Sequence, residues 1–245
     1  MMLCLPGHKP SKAMEDRQDG VSTVSNSTST SQGVVGTDPG VVARTSVPYD
    51  KVKRGLDVLV AGAALVATAP LQAAVAAVVY RDVGRPVLFR QARPGRGGEV
   101  FELRKFRTMR SATGRPGETD ADRLTPVGRF LRASSLDELP SLWNIVRGDM
   151  SIVGPRPLLV SYLDRYTPEQ ARRHEVRPGL TGLAQVEGRN LVAWPERLAL
   201  DVEYVDTRSL RLDLRILVRT VALVLRRTGV SSGTSETMEE FTGSR

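Results

Sequence analysis

The stretch VLVAGAALVATAPLQAAVAAVVY, Val58 to Tyr80, runs for 23 residues without a charge. About 20 predominantly apolar residues suffice to cross a bilayer as a helix, so the run is long enough for a membrane segment. An alanine-rich core helix fits the same letters. Pro70 sits in its middle. Proline lacks an N–H and its ring clashes with the carbonyl four residues back, here Val66, so the helix is expected to bend there. The Thr68 hydroxyl is placed to serve the freed backbone. Both flanks are basic: Lys51, Lys53 and Arg54 before, Arg81, Arg85 and Arg90 after. The positive-inside bias would hold both ends on the cytoplasmic side. A bent helix with both ends on one side is a re-entrant hairpin, with a straight span as the alternative.

Outward from this run, residues 19–46 are rich in Ser, Thr, Gly and Val without helical period, and residues 1–48 read as a polar disordered tail. No basic start followed by an apolar run marks a signal peptide. Residues 229–245 form a second polar tail. Residues 49–92 are then the anchor with its flanks, and 93–228 a cytoplasmic catalytic domain. The net charge is +8. Lys9, Lys12, Arg17 and Arg44 balance Glu15, Asp16, Asp19 and Asp38, so the excess lies after the tail. That balance favours anionic partners: phosphorylated ligands, anionic lipid or nucleic acid. The lone Cys4 excludes an intramolecular disulfide, and His8 and His174 lie too far apart in sequence to suggest a histidine metal centre. A bound metal would be a hard ion on carboxylates.

Pro86–Gln91 and Glu99–Phe106 read as two strands joined by the turn Arg93–Gly98. Thr125-Pro126 opens a helix with a capping residue and a first-turn proline. Trp194–Tyr204 reads as helical. Over Thr207–Arg227, Arg208, Arg211, Arg215 and Arg219 fall on one side. Leu210, Leu214, Leu217, Val221 and Val224 fall opposite. This suits a helix lying on an anionic membrane surface, or one packed on the domain with a solvated arginine face.

In SLDELP, Ser135 and Glu138 have capping-box spacing, while Pro140 suits the first turn of a helix. Either frame puts Asp137 and Glu138 at a helix start, where free N–H groups attract phosphate. One carboxylate could attack phosphorus while its neighbour holds a metal; ordinary capping fits the same spacing. Lys105 and Arg107 follow the second strand, Arg156 sits in the turn VGPRP, and Thr181, Gln185, Arg189 and Asn190 stud a glycine-rich loop. Each suits phosphate or nucleotide recognition. Walker and GxGxxG loops are missing. Asp120-Ala121-Asp122 matches the metal-binding DxD of many glycosyltransferases.

Taken in order, Lys53-Arg54 with Asp57, the proline-broken run, KFRTM (105–109), SLDELP (135–140), GDMSIVGPRP (148–157) and RPGLTGLAQVEGRN (177–190) resemble the bacterial sugar transferases, the monotopic polyprenyl-phosphate phosphoglycosyl transferases. The resemblance spans about Tyr49 to Val230. It implies that Asp137 attacks the β-phosphorus of a UDP-sugar, expelling UMP. Undecaprenyl phosphate then takes the phosphosugar from the aspartyl intermediate. It further implies that Glu138, with Asp137, holds magnesium or manganese, that Lys105, Arg107 and Arg156 bind phosphate, and that Thr181, Gln185, Arg189 and Asn190 form the nucleotide side. Asp201 and Tyr204 also match a family motif. Two positions depart from the pattern. Ala69 stands where serine is frequent, and Leu183 stands for the tryptophan of TGWAQ, removing an expected stacking or interfacial contact.

The expected fold is α/β (α+β): a small, mostly helical catalytic domain with a short β-hairpin, a re-entrant N-terminal membrane helix and a C-terminal amphipathic helix. The expected setting is the cytoplasmic face of a bacterial inner membrane, in exopolysaccharide synthesis. The expected partners are a UDP-sugar, undecaprenyl phosphate and anionic membrane lipid, with a homodimer left open. A DxD-dependent glycosyltransferase releasing UDP is the rival enzyme reading. A nucleic-acid-binding protein is disfavoured by the uncharged run and by an aromatic content of 5%, which offers little base stacking.

Overall fold

A computed structural model describes residues 47–115, 117–187, 193–225 and 241–243. Helix α1 (Val47–Ala67) and helix α2 (Ala69–Val83) meet at Thr68 with a bend of 61°. Pro70 occupies the first turn of α2, where a missing N–H costs nothing. The expected bend is therefore a break between two helices. The Thr68 N–H and hydroxyl both donate to the Ala64 carbonyl, at 2.9 and 2.7 Å, and Gln72 Nε2 donates to Thr68 Oγ1 at 2.9 Å. Among the described residues no single helix is long and apolar enough to cross a membrane; α1 and α2 together reach that length and composition.

The uncharged run is two-faced. Ala61, Val75 and Val79 are buried against the rest of the molecule. Leu59, Val60, Val66, Leu71 and Val78 are exposed. Ala61 joins Leu103, Leu142, Ile145 and Met150 in one core cluster, and Val75 and Val79 join Phe106 and Leu131 in another.

Polar residues of α1 fix this docking. Arg54 donates to the carbonyls of Ile145 and Val146 at 2.7 and 3.0 Å, closing the end of helix α5 (Ser141–Arg147). Asp57 accepts from Ser151 Oγ at 2.7 Å and from the Ile152 N–H at 3.2 Å. Tyr49 and Lys53 donate to Asp213 Oδ2 at 2.8 and 2.5 Å, and the Tyr204 hydroxyl is shared between Asp213 Oδ1 and the Val153 carbonyl. Lys53, 3.7 Å from Asp57, thus links it through Asp213 to Tyr204 in one network, while Arg54 serves α5 separately.

Strands β1 (Leu88–Pro94) and β2 (Val100–Phe106) form the expected hairpin, paired antiparallel from Leu88↔Phe106 to Pro94↔Val100. The expected 92/93 boundary between anchor and catalytic domain falls inside β1. Helix α3 (Asp120–Arg123) precedes α4 (Pro126–Ala133), which starts as its Thr-Pro pair predicts: Thr125 Oγ1 accepts from the Gly128 N–H at 2.9 Å.

Strand β3 (Ser151–Val153) pairs in parallel with β4 (Gly179–Thr181). Their glycines let backbones touch: a Cβ on Gly179 would lie 2.1 Å from the Gly154 nitrogen, and one on Gly182 2.2 Å from the Gly154 carbonyl oxygen. The glycine-rich stretch is therefore not an open loop over residues 179–187. It is a strand followed by helix α7 (Leu183–Glu187). Leu183 is buried with Val153, Tyr204 and Ile216, so its site is core packing rather than a stacking surface.

A short α6 (Pro168–Ala171) leads toward α8 (Trp194–Thr207), and α9 (Leu210–Leu225) follows. The face of α9 carrying Leu212 and Ile216 packs inward. Leu210, Leu214, Val218, Val221 and Leu225 form an exposed apolar stripe. Leu217 and Val224, expected on that stripe, line an internal cleft instead.

Candidate active site

That cleft, of about 1330 Å³, is walled by the hairpin, the α4–α5 connection, the β3–β4 pair, α8 and α9. Lys105, Asp137, Glu138 and Arg156 meet in it. Asp137 and Glu138 lie on a 3₁₀ turn, Leu136–Glu138, immediately before α5. Pro140 precedes that helix as one frame expects. The capping box of the other does not form, because Ser135 is left-handed (φ 57°) and its side chain caps nothing. A non-glycine residue at positive φ carries strain, which concentrates at functional sites.

Glu138 Oε1 accepts from Lys105 Nζ at 2.5 Å and from Arg156 Nη2 at 2.9 Å. Burial alone would raise its pKa, but Arg156 and Lys105 outweigh it and hold the carboxyl down to about 2. Asp137 moves the other way, to about 6. Burial raises it first and the Glu138 charge second, against the pull of Lys105, Arg156 and Arg132. The pair separates into one permanently charged carboxylate and one poised near neutrality, the pattern in which two roles coexist.

Arg156 is held from behind. Arg173 Nη2 donates to the Arg156 carbonyl at 2.7 Å and to Asp201 Oδ2 at 2.7 Å, and Arg173 Nε reaches the same oxygen at 3.0 Å. Both Arg173 and Asp201 are 2% exposed, so the pair is a dry internal brace. Asp201 thereby acquires a structural role in the site.

Thr181 and Gln185 also line the cleft. The Thr181 and Thr220 hydroxyls lie 2.7 Å apart, and Gln185 Nε2 donates to the Leu180 carbonyl at 3.2 Å. Arg107 lines the cleft too, but its guanidinium donates to the carbonyls of Val83, Arg85, Pro86 and Met109, tying α2 to the hairpin. Arg189 and Asn190 lie outside the described residues. Pro70 belongs to the anchor. Asp122 caps Thr119, and Asp120 pairs with Arg123 at 2.5 Å, so the DxD letters serve the start of α3.

Three arginines escaped the sequence reading. Arg93 lines the cleft, with a pKa brought down to about 10 by burial and by Arg156. Arg132 donates to Thr108 Oγ1 at 3.0 Å and acts on Asp137. Arg173 is the brace. Read as letters, these are ordinary turn and helix cations. Their convergence makes the cleft an anion trap over a carboxylate pair of which Asp137 is buried and Glu138 half-buried.

The bacterial sugar transferase family model matches residues 48–227. The chain belongs to that family and is an enzyme, a transferase. It is 52% identical over 170 residues to the uncharacterized sugar transferase EpsL of Bacillus subtilis, covering 69% of this chain and 84% of that one. It is 44% identical to the UDP-glucose:undecaprenyl-phosphate glucose-1-phosphate transferase of Caulobacter vibrioides, covering 73% and 72%. It is 38% identical to the undecaprenyl-phosphate galactose phosphotransferase of Salmonella typhimurium, covering 73% of this chain and 41% of that longer protein.

Proposed function

We propose that this enzyme moves a sugar-1-phosphate from a UDP-sugar to undecaprenyl phosphate through a phosphosugar-aspartyl intermediate. The observation that carries the reading is the buried Asp137 beside a half-buried Glu138 that is held by Lys105 and Arg156. The activities named for the Caulobacter and Salmonella relatives support the substrate classes.

Diphosphate enters a cleft whose cations offset its charge. An Asp137 carboxylate oxygen attacks the β-phosphorus, and the bond from that phosphorus to the bridging oxygen breaks. UMP leaves with the electron pair. In the second displacement a phosphate oxygen of the polyprenyl phosphate attacks the same phosphorus, and Asp137 departs as carboxylate. Two displacements at one nucleophile let one site serve both substrates in turn. Glu138, fixed by two cations, orients Lys105 and Arg156 toward the phosphates.

The donor set suits magnesium or manganese: Asp137 and Glu138 offer hard oxygens. No group of three or more His, Cys, Asp or Glu placed to hold a metal ion occurs among the described residues. An ion held by these two carboxylates would complete its shell with diphosphate oxygens and water. When bound, it supplies charge neutralisation at the diphosphate.

The exposed apolar faces of α1 and α2 and the α9 stripe suit a bilayer surface, with Arg211 and Arg215 near anionic headgroups. The enzyme would thus sit on the cytoplasmic face of the inner membrane, its bent anchor re-entrant, at the first membrane step of surface glycan or exopolysaccharide synthesis.

The test is incubation with sugar-labelled UDP-sugar and no lipid acceptor. The expected result is UMP release and a labelled protein adduct, both lost in Asp137→Asn. Release of UDP, or an adduct that survives this substitution, would favour a conventional glycosyltransferase.

A further inference from the structure

Phe241 lies beyond the residues matched by the family model, yet it is 2% exposed. Its ring fills a box of three aromatic side chains. Tyr166 stacks on it at 5.7 Å between centroids, Tyr162 meets it edge-on at 5.5 Å, and Trp194 lies tilted at 5.3 Å. Leu158 and Leu198 belong to the same buried cluster. The backbone is also recognised. The Phe241 N–H donates to the Tyr162 hydroxyl at 3.2 Å, and the Arg165 guanidinium donates to the Phe241 carbonyl. Arg165 in turn covers the Tyr162 ring at 5.4 Å. Ring, donor and acceptor of one residue are all satisfied at once, which is the specification of a binding pocket rather than of incidental contact.

The pocket shares its walls with the active-site cleft. Tyr162 and Trp194 line the cleft that holds Asp137 and Arg156. They also touch each other edge-on at 5.7 Å, and Arg197 covers the Trp194 ring at 5.4 Å. Trp194 opens α8, four residues after Asn190. Whatever fixes Trp194 therefore fixes part of the wall of that cleft.

We infer that the box formed by Tyr162, Tyr166 and Trp194 is a recognition site for the chain's own C-terminal Phe241, and that this latch sets the affinity of the cleft for its nucleotide. Phe241 acts as a positioning residue, well away from the reacting atoms. The binding half of the inference rests on the uridine-nucleotide reading above; the docking half does not.

The experiment uses the full chain carrying Trp143→Phe, which leaves Trp194 as its single tryptophan. Adding Phe241→Ala should move Trp194 emission to longer wavelength. It should weaken UMP binding about tenfold while kcat at saturating UDP-sugar stays within about twofold, the signature of lost uniform binding. Phe241→Leu, which keeps apolar volume without the ring, should fall between. A synthetic peptide of residues 236–245 added to the Phe241→Ala protein should restore both emission and affinity. Unchanged emission overturns the docking. Shifted emission with unchanged UMP affinity, or affinity and kcat collapsing together without peptide rescue, overturns the coupling. A parent protein that binds no UMP sinks the functional reading instead, while emission and peptide rescue still decide the docking.

Discussion

Asp137 and Glu138 are neighbours in the chain, yet their surroundings drive their proton affinities apart, to about 6 and about 2. The consequences for stability have opposite signs. Asp137 has a folded value above its ordinary 3.8, so its contribution is full below that value and is lost as pH rises through about 6. Glu138 has a folded value below its ordinary 4.5, so its contribution is present above that and is lost as pH falls through about 2. At pH 7, Asp137→Asn should raise stability, by ~3 kcal/mol from the size of that displacement. Glu138→Gln should lower it by ~2 kcal/mol, because Lys105 and Arg156 lose their shared counter-charge at a site open enough for water to screen part of the loss. Thermal melts of the two variants side by side check this; equal signs would refute the electrostatic account.

Activity should track ionisation of Asp137. A carboxylate attacks phosphorus only when charged, so kcat/KM should rise with pH through about 6 and then level. Moving the lower cation away, with Lys105→Met, should shift this limb to higher pH besides reducing turnover. A profile flat from pH 5 to 8 would refute ionisation of Asp137 as the event that sets this limb.

Chelation by EDTA should abolish turnover, and magnesium or manganese should restore it better than zinc, because the donors are carboxylate oxygens with no thiol or imidazole among them. Full activity after chelation would remove the metal role from Glu138.

The Arg173–Asp201 brace should matter through Arg156. Arg173→Lys keeps the charge but cannot span both Asp201 and the Arg156 carbonyl, so kcat/KM should drop about tenfold with only a small change in melting temperature. Asp201→Asn leaves a buried guanidinium without its anion and should destabilise by ~3 kcal/mol. If Arg173→Lys has wild-type kinetics, the brace does not govern the position of Arg156.

Topology is tested by cysteines placed at Lys51 and at Arg85 in a Cys4→Ser background. Both should react only with reagent on the cytoplasmic side. Labelling of one from outside means that α1 and α2 cross the membrane.

Much of the architecture followed from the letters alone because it depends on local rules. Pro70 had to break the uncharged run, Thr125-Pro126 had to start a helix, and alternating residues around a glycine turn had to pair as a hairpin. The ordered motifs point to the family, and the Asp137–Glu138 pair with Lys105 and Arg156 stands out in the letters as a candidate site. Only the tertiary structure decided what depends on distant partners. Lys53, Arg54 and Asp57 proved to be docking groups because α5, β3 and α9 meet α1 there. The glycines of residues 179–182 proved to serve backbone contact with Gly154, a contact between segments 25 residues apart or more. Arg173 joined the site only through Asp201, and Phe241 only through a box assembled from Tyr162, Tyr166 and Trp194. The direction of the Asp137 shift also needed the fold, since burial is a property of the surrounding core and cannot be read from adjacent residues.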